Sequence, residues 1–315
     1  MILDQLLSKR LVFLSGKGGV GKSTIGLALA LAACARGRRV LLVEIDAALE
    51  AGRMLDRPPV GSVETALRPG LFALNLEPAT AMDEYVHRTL KIGLLARRIT
   101  SSPIYRRFFA AAPGLRELMV LGKLMDLAEK RKKGRTFYDL VLVDAPATGH
   151  GLAMLKVPLA AAAAIPVGPI GRHARRIAER LRDPAHTALA ICALPEEMAS
   201  VEAIELHQMA SEDVHIETVA LFLNQCHERR LTREQEGEVL RLSASGASGT
   251  LAGGIPLREA LITARRHVRR RKMTRFYRNR LRRACDVPLV SLPFVFDDPF
   301  GETALMRLAA QLEKQ

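Results

Sequence analysis

A glycine-rich segment near the start of the chain carries the residues with the clearest chemistry. It reads Gly16-Lys-Gly-Gly-Val-Gly-Lys-Ser-Thr24, follows an apolar run at Leu11–Ser15 and leads into a helical pattern that begins at Lys22. Its four glycines allow successive backbone N–H groups to point at one anion, and a helix N-terminus adds the positive end of its dipole. The segment therefore predicts a binding site for the phosphates of MgATP.

The residues expected to bind the nucleotide are those of this loop and of the first helical turn. Lys22 is expected to reach the β and γ phosphates, and the Ser23 hydroxyl is expected to ligate Mg²⁺. The full candidate set is Gly16, Lys17, Gly18, Gly19, Val20, Gly21, Lys22, Ser23 and Thr24. A glycine turn that binds no nucleotide is the alternative, but the complete motif stands between a strand and a helix, as a phosphate loop requires.

Apolar runs alternate with helical patterns through most of the chain, which favours an α/β fold with a doubly wound, mostly parallel sheet flanked by helices. Continuous Val, Leu and Ile runs are typical of strands buried on both faces. Strands are predicted at Leu11–Ser15, Val40–Asp46, Leu71–Leu76, Asp139–Asp144, Ala188–Leu194, Val219–Asn224 and Pro288–Leu292. Helices are predicted at Lys22–Arg36, His150–Ala164, Arg172–Arg182, Glu196–Ala210, Arg233–Leu242 and Glu302–Leu312.

No internal repeat is visible, so residues 1–315 are interpreted as a single P-loop ATPase domain. Two helical additions interrupt the alternation and are expected on the same side of the domain. One is an insertion at about 80–133, helical throughout with breaks near Ser101–Pro103 and Pro113–Gly114. The other is a basic segment at about 257–284, reached through the Ser/Gly loop Ser243–Gly254.

Composition bears on the cellular location of the protein and on the partners that its charge would attract. The apolar stretches contain charges and prolines, and Asp4 interrupts the N-terminus, so we expect a cytoplasmic protein with neither a membrane span nor a leader. The net charge is +14, and residues 265–283 hold eleven Lys or Arg and no acid. A basic segment of this kind either attracts phosphates, acidic proteins and anionic membranes, or forms a solvated helix face without a partner.

A second lysine, Lys17, lies inside the loop, although phosphate binding needs only Lys22. This Lys-Gly-Gly-x-Gly-Lys-Ser form resembles the deviant Walker A motif of dimeric ATPases such as the MinD, ParA, nitrogenase iron protein and ArsA groups. The resemblance implies that Lys17 crosses a dimer interface and acts on phosphates held by the other subunit. It also implies an ATP-dependent homodimer, or a heterodimer with a related ATPase.

Other segments resemble the ArsA/Get family over essentially the whole chain. The segment Asp139-Leu-Val-Leu-Val-Asp-Ala-Pro-Ala-Thr-Gly-His150 is similar to the family's switch II, with the proline one place early at Pro146. The resemblance implies that Asp144 holds Mg²⁺ through water and that Gly149 senses the γ-phosphate. Downstream segments also resemble the family, at Leu194–Met198 with Glu202 and Glu205, at Leu223–Gln225 and at Leu292–Gly301.

The resemblance assigns roles to three more residues, and each has an alternative. Asn224 falls on the asparagine that contacts adenine, or else it caps a following helix. Pro293 would line the adenine pocket, or it only shapes a turn. Asp46 falls on the aspartate that activates water for hydrolysis, or it is a helix cap. Ala47 and Leu49 stand where the family has proline and histidine.

What the nucleotide drives is left open by the sequence. The favoured hypothesis is an ATP-hydrolysing dimeric switch coupled to a membrane-protein client or an anionic membrane surface, with no nucleic acid expected. The alternatives are the soluble ATPase subunit of an arsenite or metalloid efflux pump, and a regulatory nucleotide-binding subunit with little hydrolysis. The scattered cysteines suggest neither a zinc clip nor a metalloid site, and we expect them to be small buried apolar side chains; they are Cys34, Cys192, Cys226 and Cys285.

Two apolar patterns bear on a client. The insertion is rich in Met, Phe and Leu, which either re-pack around varied apolar partners or pack onto the sheet; they are Met82, Met119, Met125, Phe108, Phe109, Leu118, Leu121 and Leu124. The basic segment predicts an amphipathic helix that either lies on an anionic surface or docks on the domain. Its expected apolar face comprises Met273, Phe276, Tyr277, Leu281 and Ala284.

Overall fold

The computed structural model describes residues 2–45, 50–90, 100–103, 105, 107, 111–112, 114–146, 148–297 and 300–314. The strands of this part of the chain are β1 (Leu11–Ser15), β2 (Val40–Ile45), β3 (Thr65–Arg68), β4 (Leu71–Leu76), β5 (Arg131–Lys132), β6 (Arg135–Thr136), β7 (Leu140–Asp144), β8 (Thr187–Ala193), β9 (Thr218–Cys226) and β10 (Leu289–Pro293). The helices are α1 (Ile2–Leu7), α2 (Lys22–Ala35), α3 (Glu50–Met54), α4 (Pro78–Leu90), α5 (Leu115–Ala128), α6 (Thr148–Ala164), α7 (Gly168–Arg182), α8 (Glu197–Met209), α9 (Arg233–Ala244), α10 (Leu257–Ala284) and α11 (Glu302–Glu313). A π-helical turn, Ala210–Val214, continues α8.

Within the described ranges, eight strands form one sheet in the spatial order β10-β9-β8-β1-β7-β2-β4-β3. The first seven in this order run parallel, and β3 pairs antiparallel with β4 at the edge. Every residue of β1, β2 and β8 is buried, as expected for strands covered on both faces. The predicted α/β fold with a mostly parallel sheet is confirmed, and each predicted strand is present.

Helices cover both faces of the sheet and form two apolar layers. One layer joins the sheet to α1, α2 and α11. The other joins it to the helices of the insertion, to α7 and α8, and to the end of α10 at Leu281. Both helical additions therefore contribute to the same face. Because β1 is central, the loop that follows it opens at the middle of the sheet's carboxyl edge.

The insertion packs onto the sheet through the side chains that the sequence singled out. Met82, Met119 and Met125 are at most 7% exposed, and Leu118, Leu121 and Leu124 of α5 are also buried. This favours the packing interpretation over a client surface for these residues; Phe108 and Phe109 lie outside the described residues. The expectation of helix as far as Lys133 is wrong. A hairpin forms there, because Lys133 and Gly134 adopt φ angles of 52° and 76° in a two-residue turn.

The basic segment is one continuous helix of 28 residues, α10. It packs against α8, α9 and β9 and buries Leu261, Val268, Thr274 and Leu281. The expected apolar face is wrong, because Leu281 is fully buried whereas Phe276 is 61% exposed. Which side chains of α10 are buried depends on where the helix crosses α8, α9 and β9, and the local sequence does not encode that crossing. Among the described helices, none combines the length and hydrophobicity that a bilayer crossing requires.

Candidate functional site

The loop between β1 and α2 has a backbone that requires glycine. Gly19 and Gly21 have φ angles of 81° and 88°, which lie in the left-handed region. A Cβ on Gly16 would lie 2.2 Å from the carbonyl oxygen of Cys192, and one on Gly21 would lie 2.4 Å from Nδ2 of Asn224. The loop therefore packs closely against the ends of β8 and β9.

Asn224, near the end of β9, holds this loop in place through a hydrogen bond. Its Nδ2 donates to the carbonyl oxygen of Val20 at 2.9 Å, and its Oδ1 accepts from the backbone N–H of Gln225 at 2.9 Å. The side chain is 6% exposed. The next helix is capped by Thr232 through a capping box, so Asn224 is not the cap that was considered as its alternative role. An adenine contact stays a prediction, beside this structural role.

Lys22 lies across the mouth of the loop. Its Nζ donates to the carbonyl oxygens of Gly16 at 3.1 Å and Lys17 at 3.2 Å. The ammonium group is therefore held by backbone carbonyl oxygens of the phosphate loop itself. A cation in this position can neutralise phosphate oxygens.

Ser23 and Asp144 form an oxygen pair beside Lys22. Ser23 Oγ donates to Asp144 Oδ2 at 2.5 Å, while Oδ1 of Asp144 is buried and has no hydrogen-bond partner among the described residues. Burial raises the pKa of Asp144, and the Ser23 hydrogen bond and the Lys22 charge oppose that shift. The Ser23 hydroxyl and the Asp144 carboxylate, with its one oxygen that accepts no hydrogen bond, are hard oxygen ligands. The pair therefore fits Mg²⁺, with Asp144 bound directly or through water.

Lys17 is held by a residue that the sequence had not connected with it. Its Nζ lies 2.7 Å from Oε1 of Glu202 on α8, and the two side chains are 38% and 24% exposed. In this single chain Lys17 therefore contacts its own α8. Glu202 lies in a segment that resembles the family, but no local signal pairs it with Lys17.

The remaining candidates lie around the same edge or outside the described residues. Asp46 is outside them; β2, which ends at Ile45, runs beside β7 and places Glu44 in register with Asp144. Gly149 belongs to the first turn of α6. Pro293 is the last residue of β10, half-buried and paired with Cys226 at the end of β9. Thr24 also belongs to the first turn of α2.

Glu44 is a further acid that the sequence analysis did not select. It is 3% exposed, and its Oε1 accepts a hydrogen bond from the backbone N–H of Ala51 at the start of α3. This buried acid stands in register with Asp144 and so lies close to the proposed magnesium ligands. Its position inside an apolar strand was the signal that could have identified it.

A cavity of about 410 Å³ opens next to the loop, between the strand ends and α10. Pro195, Gln225 and Phe294 contribute from the ends of β8, β9 and β10, and three arginines contribute from α10, namely Arg266, Arg269 and Arg270. The His227 ring stacks on Phe294 with ring centroids 5.3 Å apart. Flat apolar surfaces next to cations suit a planar ring with phosphate groups.

The parallel sheet, the loop after its central strand and the Lys22–Ser23–Asp144 cluster define a P-loop nucleotide-binding protein. A family model described as anion-transporting ATPase matches residues 9–166. The chain belongs to this family, the ArsA/Get ATPases.

Three relatives illustrate the range of the family. The chain is 30% identical to ATPase BagA of Mycobacterium tuberculosis over 267 residues, which is 82% of this chain and 78% of that protein. It is 30% identical to an ATPase ASNA1 homologue of Paramecium tetraurelia over 149 residues, 47% of this chain and 43% of that one. It is 29% identical to an arsenical pump-driving ATPase of Escherichia coli over 219 residues, 64% of this chain and 36% of the pump ATPase.

Proposed function

We propose that the chain is an ATPase that binds MgATP in the loop Gly16–Thr24 and acts as a dimeric switch. The observation that carries this proposal is the Ser23–Asp144 pair, which leaves one buried carboxylate oxygen without a partner among the described residues beside the Lys22 ammonium. A buried anion in that position is stabilised when a divalent cation and a triphosphate bind together. The family of ATPases to which the chain belongs supports the same reaction.

The chain's own residues would hold the substrate as follows. Backbone N–H groups of the loop and the start of α2 bind the phosphate oxygens, and Lys22 exchanges its two loop carbonyls for the β and γ phosphates. Ser23 and Asp144 would hold Mg²⁺, which would supply positive charge to the transferring phosphoryl group. Gly149, at the start of α6, is proposed to contact the γ-phosphate through its backbone.

The base is proposed to lie toward β9 and β10. Pro293 ends β10 beside the end of β9, and Asn224 lies under the loop. Asn224 uses one N–H for Val20, so its adenine contact would be made by the second N–H of the same amide. In this way one side chain would support the loop and also read the base.

Lys17 is proposed to act across a dimer interface. Two triphosphates facing each other need cations between them, and Lys22 is already assigned to its own phosphates. For Lys17 to reach the partner's nucleotide, its ion pair with Glu202 must open. That pair is half-exposed, so its free-energy cost is small, on the order of 1 kcal/mol or less. Asp46 is proposed to position or activate the attacking water within its own subunit.

Variants of Lys17 and Asp46 separate assembly from chemistry. Lys17→Ala should weaken the ATP-bound dimer and hydrolysis together, because it removes the bridging cation. Asp46→Asn should still bind ATP and form the dimer, while hydrolysis falls by a factor on the order of 10²–10⁴. Light scattering with MgATP and a phosphate-release assay measure the two properties. A normal ATP-dependent dimer in Lys17→Ala, or the parental rate in Asp46→Asn, would contradict the assignment.

A metalloid-pump subunit is the second candidate, since one relative is named an arsenical pump-driving ATPase. The thiols of this chain argue against it. Cys192, Cys226 and Cys285 are buried, and burial raises the pKa of each, that of Cys226 to about 11. A protonated, buried thiol is a poor ligand. The phosphate-release assay repeated with arsenite separates the candidates: stimulation that depends on cysteine favours the pump, and no change favours the protein or membrane partner. No hydrolysis at all would favour a regulatory subunit.

A further inference from the structure

One side of α10 presents a straight row of exposed side chains, which we call the outer stripe. It comprises Arg265, Arg269, Lys272, Phe276, Arg280 and Arg283, and all six are exposed. Their spacing of three or four residues places them on one side of the helix. At 1.5 Å per residue the stripe is about 27 Å long.

The outer stripe is basic, and no acidic side chain among the described residues forms an ion pair with it. Five of its six residues are Lys or Arg, and there is no acid between residues 265 and 283. Among the residues that the structure describes, none of these five has an ion-pair partner. The ion pair found on α10, between Arg271 and Glu236, is on its half-buried side and joins it to α9.

The fold does not need the outer stripe for packing. α10 is anchored through Leu261, Val268 and Leu281, and through Thr274 Oγ1, which accepts from the backbone N–H of His227 at 3.2 Å. Thr274 and Leu281 lie on a different side of the helix, whereas Leu261 and Val268 lie one turn from Arg265 and border the stripe. Because the charged side chains of the stripe are themselves exposed, they can be changed with little effect on stability, and they repel one another unless an anion is near.

Apolar side chains are mixed into the same exposed side. Phe276 is 61% exposed near the middle of the stripe, and Ile262, one turn before Arg265, is 43% exposed. The exposure of a large aromatic ring to water is unfavourable in free energy. The ring gains free energy when it enters an apolar environment that lies just behind a layer of negative charge.

We propose that the outer stripe of α10 is a contact surface for an anionic lipid membrane. A plane touches the outermost side chains of a straight helix, so the five cations would meet lipid phosphates while Phe276 enters the acyl boundary. A second copy of this chain does not fit, because its net charge is +14. A nucleic acid would satisfy the cations, and its bases would stack on Phe276, but it offers no apolar layer for Ile262. The contact does not depend on ATP hydrolysis.

Co-sedimentation with vesicles of phosphatidylcholine, with and without one-third phosphatidylglycerol, tests the proposal. The parent protein should bind the anionic vesicles, in a salt-sensitive manner, and should not bind the neutral ones. Arg265→Gln/Lys272→Gln/Arg280→Gln should lower the partition coefficient on the order of 100-fold, at roughly fivefold per charge. Phe276→Ala should lower it about tenfold, because the ring no longer inserts.

A variant of matched charge serves as the control. Arg131, Lys132 and Arg135 are exposed in the β5–β6 hairpin, and changing all three to Gln removes the same net charge from another place. This control should stay within about twofold of the parent, since the stripe is intact. Circular dichroism and thermal melting verify that every variant is folded.

Two results would overturn the membrane assignment. One is equal vesicle binding by the stripe variant and the hairpin variant, which would reduce the effect to net charge. The other is unchanged vesicle binding in Phe276→Ala together with tight single-stranded DNA binding that the stripe variant loses. That second pattern would identify a nucleic-acid surface.

Discussion

Lys17 and Lys22 belong to one loop but are held in different ways. Lys22 donates to carbonyl oxygens of the loop itself, whereas Lys17 is paired with Glu202 on α8. The position of Lys22 is therefore fixed locally, while the position of Lys17 depends on a helix that follows another strand. An ion pair of this kind competes directly with any phosphate that Lys17 would bind in a partner subunit.

At the residue scale, Glu202→Gln should make dimer formation easier. The amide removes the negative charge that holds Lys17 but keeps the size of the side chain. The concentration of MgATP needed for half-maximal dimerisation should fall by up to about fivefold, because a half-exposed ion pair contributes up to about 1 kcal/mol. Light scattering across an ATP titration gives this concentration.

Glu205→Gln is the matched control, because Glu205 is exposed one turn further along the same helix. It should leave the titration unchanged. If Glu202→Gln raises the required ATP concentration while Glu205→Gln does not, Glu202 supports the dimer instead of restraining Lys17.

Local motifs explain which site residues were predictable from sequence. The Gly16–Ser23 loop was identified from adjacent residues, and Asp144 from the resemblance of its segment to the family's switch II; Ser23 and Asp144 meet in the structure. The contacts of Lys17 with Glu202 and of Asn224 with Val20 span 185 and 204 residues. Such partners are set by the order of strands in the sheet, which a single sequence does not give.

At the element scale, the contact between α5 and α7 depends on a residue without a side chain. A Cβ on Gly122 of α5 would lie 2.2 Å from Nε2 of His173 on α7. The His173 ring also packs on Tyr85 of α4, with ring centroids 4.8 Å apart. Three helices of one face thus meet around one imidazole, and Gly122 sets how closely they approach.

Gly122→Ala should therefore destabilise the protein. The methyl group would have to displace a buried ring, at a cost of about 1–3 kcal/mol. Gly237→Ala in α9 is the control, because its Cβ would meet nothing within 4 Å. It should stabilise the helix by up to about 1 kcal/mol. Urea unfolding measures both, and equal free energies of unfolding for the two variants would contradict the close contact.

The elements found from the sequence were those with an unambiguous apolar pattern. The strands of the parallel sheet are continuous apolar runs, and their positions were predicted to within two residues at either end. The edge strand β3 and the β5–β6 hairpin are short and partly or fully exposed, so neither has such a run. The exposed face of α10 was also missed, because it depends on how the helix crosses its neighbours.

At the scale of the whole molecule, several buried or half-buried histidines are kept neutral. Burial lowers the pKa of His173 to about 4, and it also lowers the pKa values of His186, His207 and His227. Between the unfolded value of 6.5 and the folded value, the unfolded chain binds protons that the folded chain does not. Stability is therefore present above about pH 6.5 and is lost as the pH falls.

His173→Phe should isolate one part of this acid sensitivity. Between pH 7 and pH 5 the loss of unfolding free energy should be smaller in the variant by about 2 kcal/mol, because phenylalanine does not titrate. Urea unfolding at both pH values measures the difference, so any packing change common to both pH values cancels. The same pH dependence in parent and variant would show that His173 is protonated normally in the folded protein.

The hydrogen bond from Asn224 to Val20 has a consequence for biosynthesis. Val20 leaves the ribosome early, but its support lies 204 residues later, on a strand separated from β1 by β8. At ordinary translation rates that interval is roughly 10–40 s. During this interval the nascent phosphate loop has its glycines and lysines but lacks the hydrogen bond from the Asn224 amide. Nucleotide capture should therefore begin only after β9 has been synthesised, late in the making of the chain.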